Sequence, residues 1–126
     1  MDQFFSPDLK ILIAKSRLIA IDLGYDYIST IHFLLADCES GRPNSIFNFA
    51  FGDRGEYLQF KEEWKVKEED RPVVIEDSLP LTKEAESAIV NTDVERIIHQ
   101  QTLSYPSHLF LSALSNEKSL LAGLLR

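Results

Sequence analysis

Histidine is the residue type in this 126-residue chain that could bind a metal ion or sense pH. His32 and His108 open similar apolar stretches, His-Phe-Leu-Leu and His-Leu-Phe-Leu, 76 positions apart. Two histidines without adjacent cysteine or carboxylate ligands make a poor zinc site, because structural zinc takes four ligands. We therefore expect both imidazoles to satisfy backbone groups at the start of buried helices, and we predict no metal ion and no cofactor. His99 is expected late in a helix, where the helix dipole favours a cation.

Cys38, the single cysteine, is the candidate nucleophile. It follows His32 by six residues on one predicted helix, and side chains six residues apart do not share a helical face. Cys38 instead completes an apolar stripe, where a free thiol behaves as a small hydrophobic side chain. The acids of residues 61–71 (KEEWKVKEEDR) alternate with bases, and no apolar pocket is there to raise a carboxyl pKa. The sequence therefore predicts no catalytic residue and a protein that is not an enzyme.

The elements that must position these side chains are helices. Ser6 is a good N-cap residue before Pro7, and Gly24 is a typical helix stop, so a helix is predicted over 7–23. Its apolar residues lie on several faces, which indicates packing on more than one side. A second helix is predicted from Ile31 to Glu39 with Thr30 as its N-cap residue, because apolar residues recur there at helical spacing.

Shorter elements are predicted further along the chain. They are a helix from Pro43 to Phe51, a helix from Arg54 to Trp64 anchored by Tyr57, Leu58 and Phe60, an extended strap over Pro72–Ile75, and a final helix from Asn116 to Arg126. The strap is favoured because the residue before a proline avoids the helical region. Among the aromatic residues, Phe47 is predicted to lie in the core. Phe49, Tyr57 and Trp64 fit either the core or an exposed groove that binds apolar peptide segments.

The opening pattern of the chain returns after 76 residues. Leu81-Thr82-Lys83-Glu84-Ala85 mirrors Phe5-Ser6-Pro7-Asp8-Leu9, and the stretch around His108 mirrors the stretch around His32. We predict an all-α fold made of two four-helix units in tandem, related by a pseudo-twofold axis, with the last helix of the second unit missing or very short. The chain is then one domain over 1–126, with a first repeat in 1–52, an acidic insert carrying the fourth helix in 53–80 and a second repeat in 81–126. The alternative is two amphipathic helix pairs that align by chance.

Composition excludes several classes of protein. The formal net charge of −7, with no cluster of basic residues, argues against binding to nucleic acid, where phosphate contacts dominate the affinity. No apolar stretch approaches the roughly 20 residues of a membrane span, and no basic region opens the sequence as in a signal peptide. One cysteine allows no intramolecular disulfide bond, which favours a reducing compartment. We predict a cytoplasmic protein that binds neither nucleic acid nor membranes.

Two stretches resemble the Clp N-terminal domain family, the substrate-recognition domain of Clp-type AAA+ unfoldases. The first is Leu23-Gly24-Tyr25-Asp26-Tyr27-Ile28-Ser29-Thr30-Ile31-His32-Phe33-Leu34-Leu35, which is similar to the family pattern L-G-x-x-Y-I-G-T-E-H-x-L-L. The second is Leu79–Glu86, which looks like the family's opening of repeat two. The resemblance implies two four-helix repeats and a non-catalytic role, in which client or adaptor proteins are captured and delivered to an attached ATPase ring.

The sequence departs from the family pattern at the start of each second helix. The family's glutamate between threonine and histidine is Ile31 in the first repeat and Ser107 in the second, and the second threonine is Pro106. In some members this acidic pair recognises phosphorylated arginine. An isoleucine cannot pair with a guanidinium group as a carboxylate does, so phosphoarginine is not predicted as a ligand. No Walker A loop occurs, so no ATPase is predicted in this chain.

We therefore predict a module that binds client or adaptor proteins and couples them to a Clp-type AAA+ ATPase. The candidate binding surface is formed by two equivalent segments, Ser29-Thr30-Ile31 and Tyr105-Pro106-Ser107, which we call the helix starts. With isoleucine and serine in place of glutamate, we expect this surface to be more apolar than in the family. Two alternatives stay open: a regulatory or dimerisation protein that competes with true Clp N-domains, and a small helical hydrolase.

Overall fold

The structure is a computed structural model that describes residues 4–41, 51, 53–72 and 79–115. Within these ranges the regular elements are helices, and no strand is formed. They are α1 (Pro7–Leu23), α2 (Thr30–Cys38), α3 (Arg54–Glu63), a 3₁₀ turn (Glu68–Asp70), α4 (Lys83–Val90), α5 (Thr92–Ile98) and α6 (Pro106–Ser115). The predicted helices over 43–51 and 116–126 and the strap after Pro72 lie outside the described residues.

Helix α1 has the predicted bounds. The side chain of Ser6 accepts a hydrogen bond from the backbone N–H of Leu9, and Gly24 ends the helix in the left-handed region with φ of 92°. The packing of α1 on more than one side is not seen for all of its apolar residues. Ile11 and Leu18 are exposed, because the described helices contact α1 on the face that carries Leu9 and Leu12.

Helix α2 begins one residue earlier than predicted. Ser29, in an extended conformation, is the N-cap residue, and Thr30 is the first helical residue, so the prediction of Thr30 as N-cap is wrong. The physical reason is a tertiary contact: the Thr30 hydroxyl donates to Oε2 of Glu84 at 3.0 Å instead of capping its own helix. The helix ends at Cys38, one residue before the predicted Glu39.

Helix α3 begins at the predicted residue, capped by Asp53, and ends at Glu63 rather than Trp64. Of its three predicted anchors, Tyr57 is fully buried and Phe60 is half-buried against the core. Leu58 is half exposed, so its prediction as an anchor is wrong. One position after Tyr57, its side chain points away from the face that packs on the domain.

The charged run after α3 is largely exposed, as predicted, but it is held at two points. The backbone N–H of Val66 donates to the carbonyl of Leu23 at the end of α1 (2.8 Å). Arg71 lies over Gly24 and donates through Nε to the Val66 carbonyl at 3.1 Å. A Cβ atom at position 24 would come within 3 Å of the Arg71 side chain, so the close approach needs glycine there as well as the positive φ does.

The second half repeats the local structure of the first with one interruption. Thr82 has the φ and ψ of Ser6, −65° and 159°, and its side chain accepts from the N–H of Ala85 as Ser6 does from Leu9. The counterpart of the long helix α1 is divided at Asn91 into α4 and α5. Asparagine has a low helix propensity, which fits this break.

Two isolated parallel bridges join the halves, and each is the counterpart of the other after a shift of 76 residues. Phe5 pairs with Ser104, and Ile28 pairs with Leu81. Helix α1 packs on α2, helices α4 and α5 pack on α6, and the halves meet where α1 contacts α6 and α2 contacts α4. These reciprocal contacts support the tandem repeat, whose pseudo-twofold axis stays a prediction.

Candidate functional site

Each of the helix starts is held by a histidine that follows it closely in the chain. The backbone N–H of Ser29 donates to Nδ1 of His32 at 2.8 Å, and the N–H of Tyr105 donates to Nδ1 of His108 at 2.9 Å. The imidazoles therefore satisfy backbone groups at the start of two buried helices, as predicted from the sequence. They keep the helix starts in matching conformations.

Both imidazoles are in environments that favour the neutral form. Burial lowers the pKa of His32 to about 4. Burial and the neighbouring His99 lower the pKa of His108. Because Nδ1 accepts a hydrogen bond in each ring, the proton of the neutral imidazole lies on Nε2. Nε2 of His32 is buried without a hydrogen-bond partner in the described structure, and the ring meets Tyr25 edge-on with centroids 4.7 Å apart.

The six predicted site residues differ in exposure. Thr30, Ile31 and Pro106 are buried, Ser29 is partly exposed, and Tyr105 and Ser107 are exposed. Ile31 is part of the core, so it adds no apolar area to the exterior, contrary to the expectation from the sequence. The surface that the helix starts present consists of the two serines and the Tyr105 ring, and the binding of a partner there stays a prediction.

An exposed apolar face on α4 and α5 was not predicted from the sequence. It is formed by Val90, Val94, Ile97 and Ile98, all exposed. Their spacing at i, i+4, i+7 and i+8 places them on one side of consecutive helical turns. This spacing is visible in the sequence, but it is also the pattern of a buried helix face. Asp93 and Glu95 stand among these residues on the same helix.

The apolar face of α5 lies at the same end of the molecule as the first turn of α6. His99 follows Ile98 directly and caps α5. The rings of His99 and His108 are 6.0 Å apart, and the rings of His108 and Tyr105 are 5.9 Å apart. A chain of three rings thus joins the end of α5 to the exposed Tyr105.

The features that would mark a catalytic site are weak in the described residues. Burial, with Asp37 and Glu39 nearby, raises the pKa of the Cys38 thiol to about 12, so the thiolate that a nucleophile needs is not formed near neutral pH. No group of three or more His, Cys, Asp or Glu side chains among the described residues is arranged to hold a metal ion. Across the same ranges, no helix combines the length and the apolar character that a membrane crossing requires.

No protein-family profile and no curated protein matches the sequence. Among solved structures, the chain is similar to the N-terminal domain of the caseinolytic protease associated chaperone ClpD from Arabidopsis thaliana. The TM-score is 0.70 at 16% sequence identity, and the match covers 98% of this chain and 82% of that chain. At this level of identity the likeness concerns the fold, and it confirms the predicted all-α, Clp N-domain-like architecture.

Proposed function

We propose that this chain, whose fold is that of a Clp N-terminal domain, is a non-catalytic module that captures client or adaptor proteins for a Clp-type AAA+ unfoldase or protease. The observation that carries the proposal is the exposed apolar face of α5, which lies beside the exposed ring of Tyr105. Its single, buried cysteine favours the reducing cytoplasm as the place where it acts.

The chemistry of this face suits polypeptide segments with apolar side chains. Large exposed apolar groups that stand together mark interaction surfaces, and aromatic side chains are enriched where proteins meet. Asp93 and Glu95 add negative charge to the same helix, and the chain carries a net charge of −7. Segments that combine apolar and basic residues, as in an incompletely folded client, complement this surface.

The helix starts complete the proposed binding surface. Thr30, Ile31 and Pro106 are buried and fix the backbone of these segments, whereas Ser29, Tyr105 and Ser107 are available for contact. Phosphorylated arginine is not part of the proposal. The positions where family members carry the acidic pair hold a buried isoleucine and a serine here, and neither can bind a guanidinium group bidentately.

The test is binding of a permanently unfolded protein, reduced and carboxymethylated α-lactalbumin, to the full chain by fluorescence anisotropy. Ile97→Asp and Ile11→Asp are matched variants, because these isoleucines are 64% and 63% exposed on different helices. We expect Ile97→Asp to weaken binding by at least about tenfold, the effect of a central contact, and Ile11→Asp to leave it unchanged. Equal effects of the two variants, or no binding by the wild-type chain, would contradict the proposal.

A second measurement separates the class of ligand. Titration of the wild-type chain with free phosphoarginine should produce no saturable change in calorimetry or in NMR chemical shifts. Binding at micromolar concentration would show that a guanidinium site exists despite Ile31 and Ser107, and that the proposed apolar selectivity is wrong.

A further inference from the structure

The outer faces of α2 and α6 occupy equivalent positions in the two halves but differ in exposure. We call the residues Ser107, Leu111, Leu114 and Ser115 the outer face of α6; their counterparts on α2 are Ile31, Leu35, Cys38 and Glu39. Leu35 is completely buried, whereas Leu111 at the equivalent position is 44% exposed. Ser107 and Ser115 are also exposed. The α2 face is covered, and the α6 face is open.

The cover on α2 is helix α3. Tyr57 is completely buried, and its hydroxyl donates to Oε2 of Glu39 and lies 3.4 Å from the carbonyl oxygen of Leu35. One turn later, Nζ of Lys61 donates to the same carboxylate at 2.8 Å. Helix α3 is therefore anchored on α2 by one aromatic side chain and one basic side chain at i and i+4.

The α6 face keeps the site of the aromatic anchor and lacks the site of the basic one. Leu111 stands where Leu35 is, and Ser115 stands where the Glu39 carboxylate is. The ten residues of α6 include no Asp, Glu, Lys or Arg, so a charged partner neither gains a salt bridge nor meets repulsion from this helix. An occupant is thus selected by an apolar or aromatic side chain that packs on Leu111.

We propose that the outer face of α6 binds an amphipathic helix of another protein, with an aromatic side chain on Leu111, in the way that α3 covers α2. The recognition mode is a helix laid against a helical surface through anchors at helical spacing. The proposal is independent of the binding of unfolded segments at α5, because α6 contributes to the surface described above only through its first residues.

The test uses a peptide with the sequence of residues 53–65 of this chain as the helical probe. The peptide is added to the ¹⁵N-labelled full chain, and chemical shifts are followed by NMR. We expect shifts centred on residues 107–115, and weaker binding by about tenfold when the tyrosine of the peptide is replaced by alanine. An absence of shifts up to millimolar peptide, or shifts confined to α2 because the peptide exchanges with α3, would overturn the proposal.

Variants of the full chain locate the contact. Leu111→Glu should weaken peptide binding by at least about tenfold, whereas Leu18→Glu, at another exposed leucine, should not. Leu111→Ala, which adds no charge, should weaken binding in the same direction and guards against misfolding of the first variant. Equal affinity of all three variants would refute the α6 contact. Since Leu111→Glu should leave the binding of unfolded α-lactalbumin intact, failure of this proposal is distinguishable from failure of the proposed function.

Discussion

The hydroxyl of Thr30 donates a 3.0 Å hydrogen bond to Oε2 of Glu84, which joins the first turn of α2 to the first turn of α4. The two residues are 54 positions apart, and Thr30 is completely buried. The equivalent positions in the opposite sense are Pro106 and Asp8, and a proline side chain has no donor. The two contacts between the halves are therefore chemically unequal.

Replacement of Thr30 by valine should destabilise the domain. Valine has the shape of threonine without its hydroxyl, so the bond to the Glu84 carboxylate is lost. Hydrogen bonds to charged groups contribute about 1.5–3 kcal/mol, and we expect a loss at the lower end because Glu84 is partly exposed. Urea unfolding measures the change. The exposed Thr102→Val is the control and should lose less than about 0.5 kcal/mol; similar losses for both would show that the bond does not stabilise the fold.

Replacement of Gln100 by glycine should stabilise the domain. Gln100 follows the end of α5 with φ of 56°, the left-handed conformation that Gly24 adopts at the equivalent end of α1. A left-handed residue other than glycine costs about 1 kcal/mol, which Gln100→Gly should largely recover. Thermal unfolding gives the change. In the neighbouring Gln101→Gly, where φ is not positive, the added chain entropy should lower the midpoint instead. A lower midpoint for Gln100→Gly would mean that its side chain makes a stabilising contact.

Stability should fall between pH 7 and pH 4 through His32. Its pKa is about 4 in the folded protein and about 6.5 in an unfolded chain, so below pH 6.5 the unfolded chain takes up a proton that the folded protein does not. The loss should approach about 3 kcal/mol near pH 4. Glutamine can accept the same N–H without titrating, so His32→Gln should show a shallower pH dependence of urea unfolding. The exposed His99→Gln should follow the wild type, and identical slopes for all three proteins would exclude His32 as the origin.

Removal of the Tyr57 hydroxyl should loosen α3 and raise the pKa of Glu39. Burial pushes the pKa of Glu39 up, but hydrogen bonds from Lys61 and Tyr57 outweigh burial and hold the pKa below its usual value. Tyr57→Phe deletes one of these bonds, so we expect a loss of about 1.5 kcal/mol at neutral pH. Because a depressed carboxyl pKa stabilises only while the group is ionised, this loss should shrink as the pH falls.

Carboxyl chemical shifts and urea unfolding measure both effects of Tyr57→Phe. The exposed Tyr27→Phe should change neither the Glu39 pKa nor the stability. A Glu39 pKa that is unchanged in Tyr57→Phe would show that Lys61 alone determines it.

The ends of the helices could be predicted from the sequence because they depend on groups within a few positions. Ser6 and Thr82 cap the N–H groups three residues later, and Gly24 adopts the positive φ that ends α1. The histidine caps follow the same logic, since each ring binds the N–H three positions before it. The family resemblance predicted the all-α fold that the ClpD domain shares.

The sequence alone could not decide which apolar faces are covered. Helical spacing shows that Leu35 and Leu111 each belong to an apolar face, but α3 lies over the first and no described helix lies over the second. The same spacing is typical of a core position at Ile97, and it is exposed. Ile31 is interior rather than part of a binding surface for the complementary reason, since its face packs against other elements. Periodicity is a property of one helix, whereas burial depends on a second element that approaches it from elsewhere in the chain, and only the tertiary structure places that element.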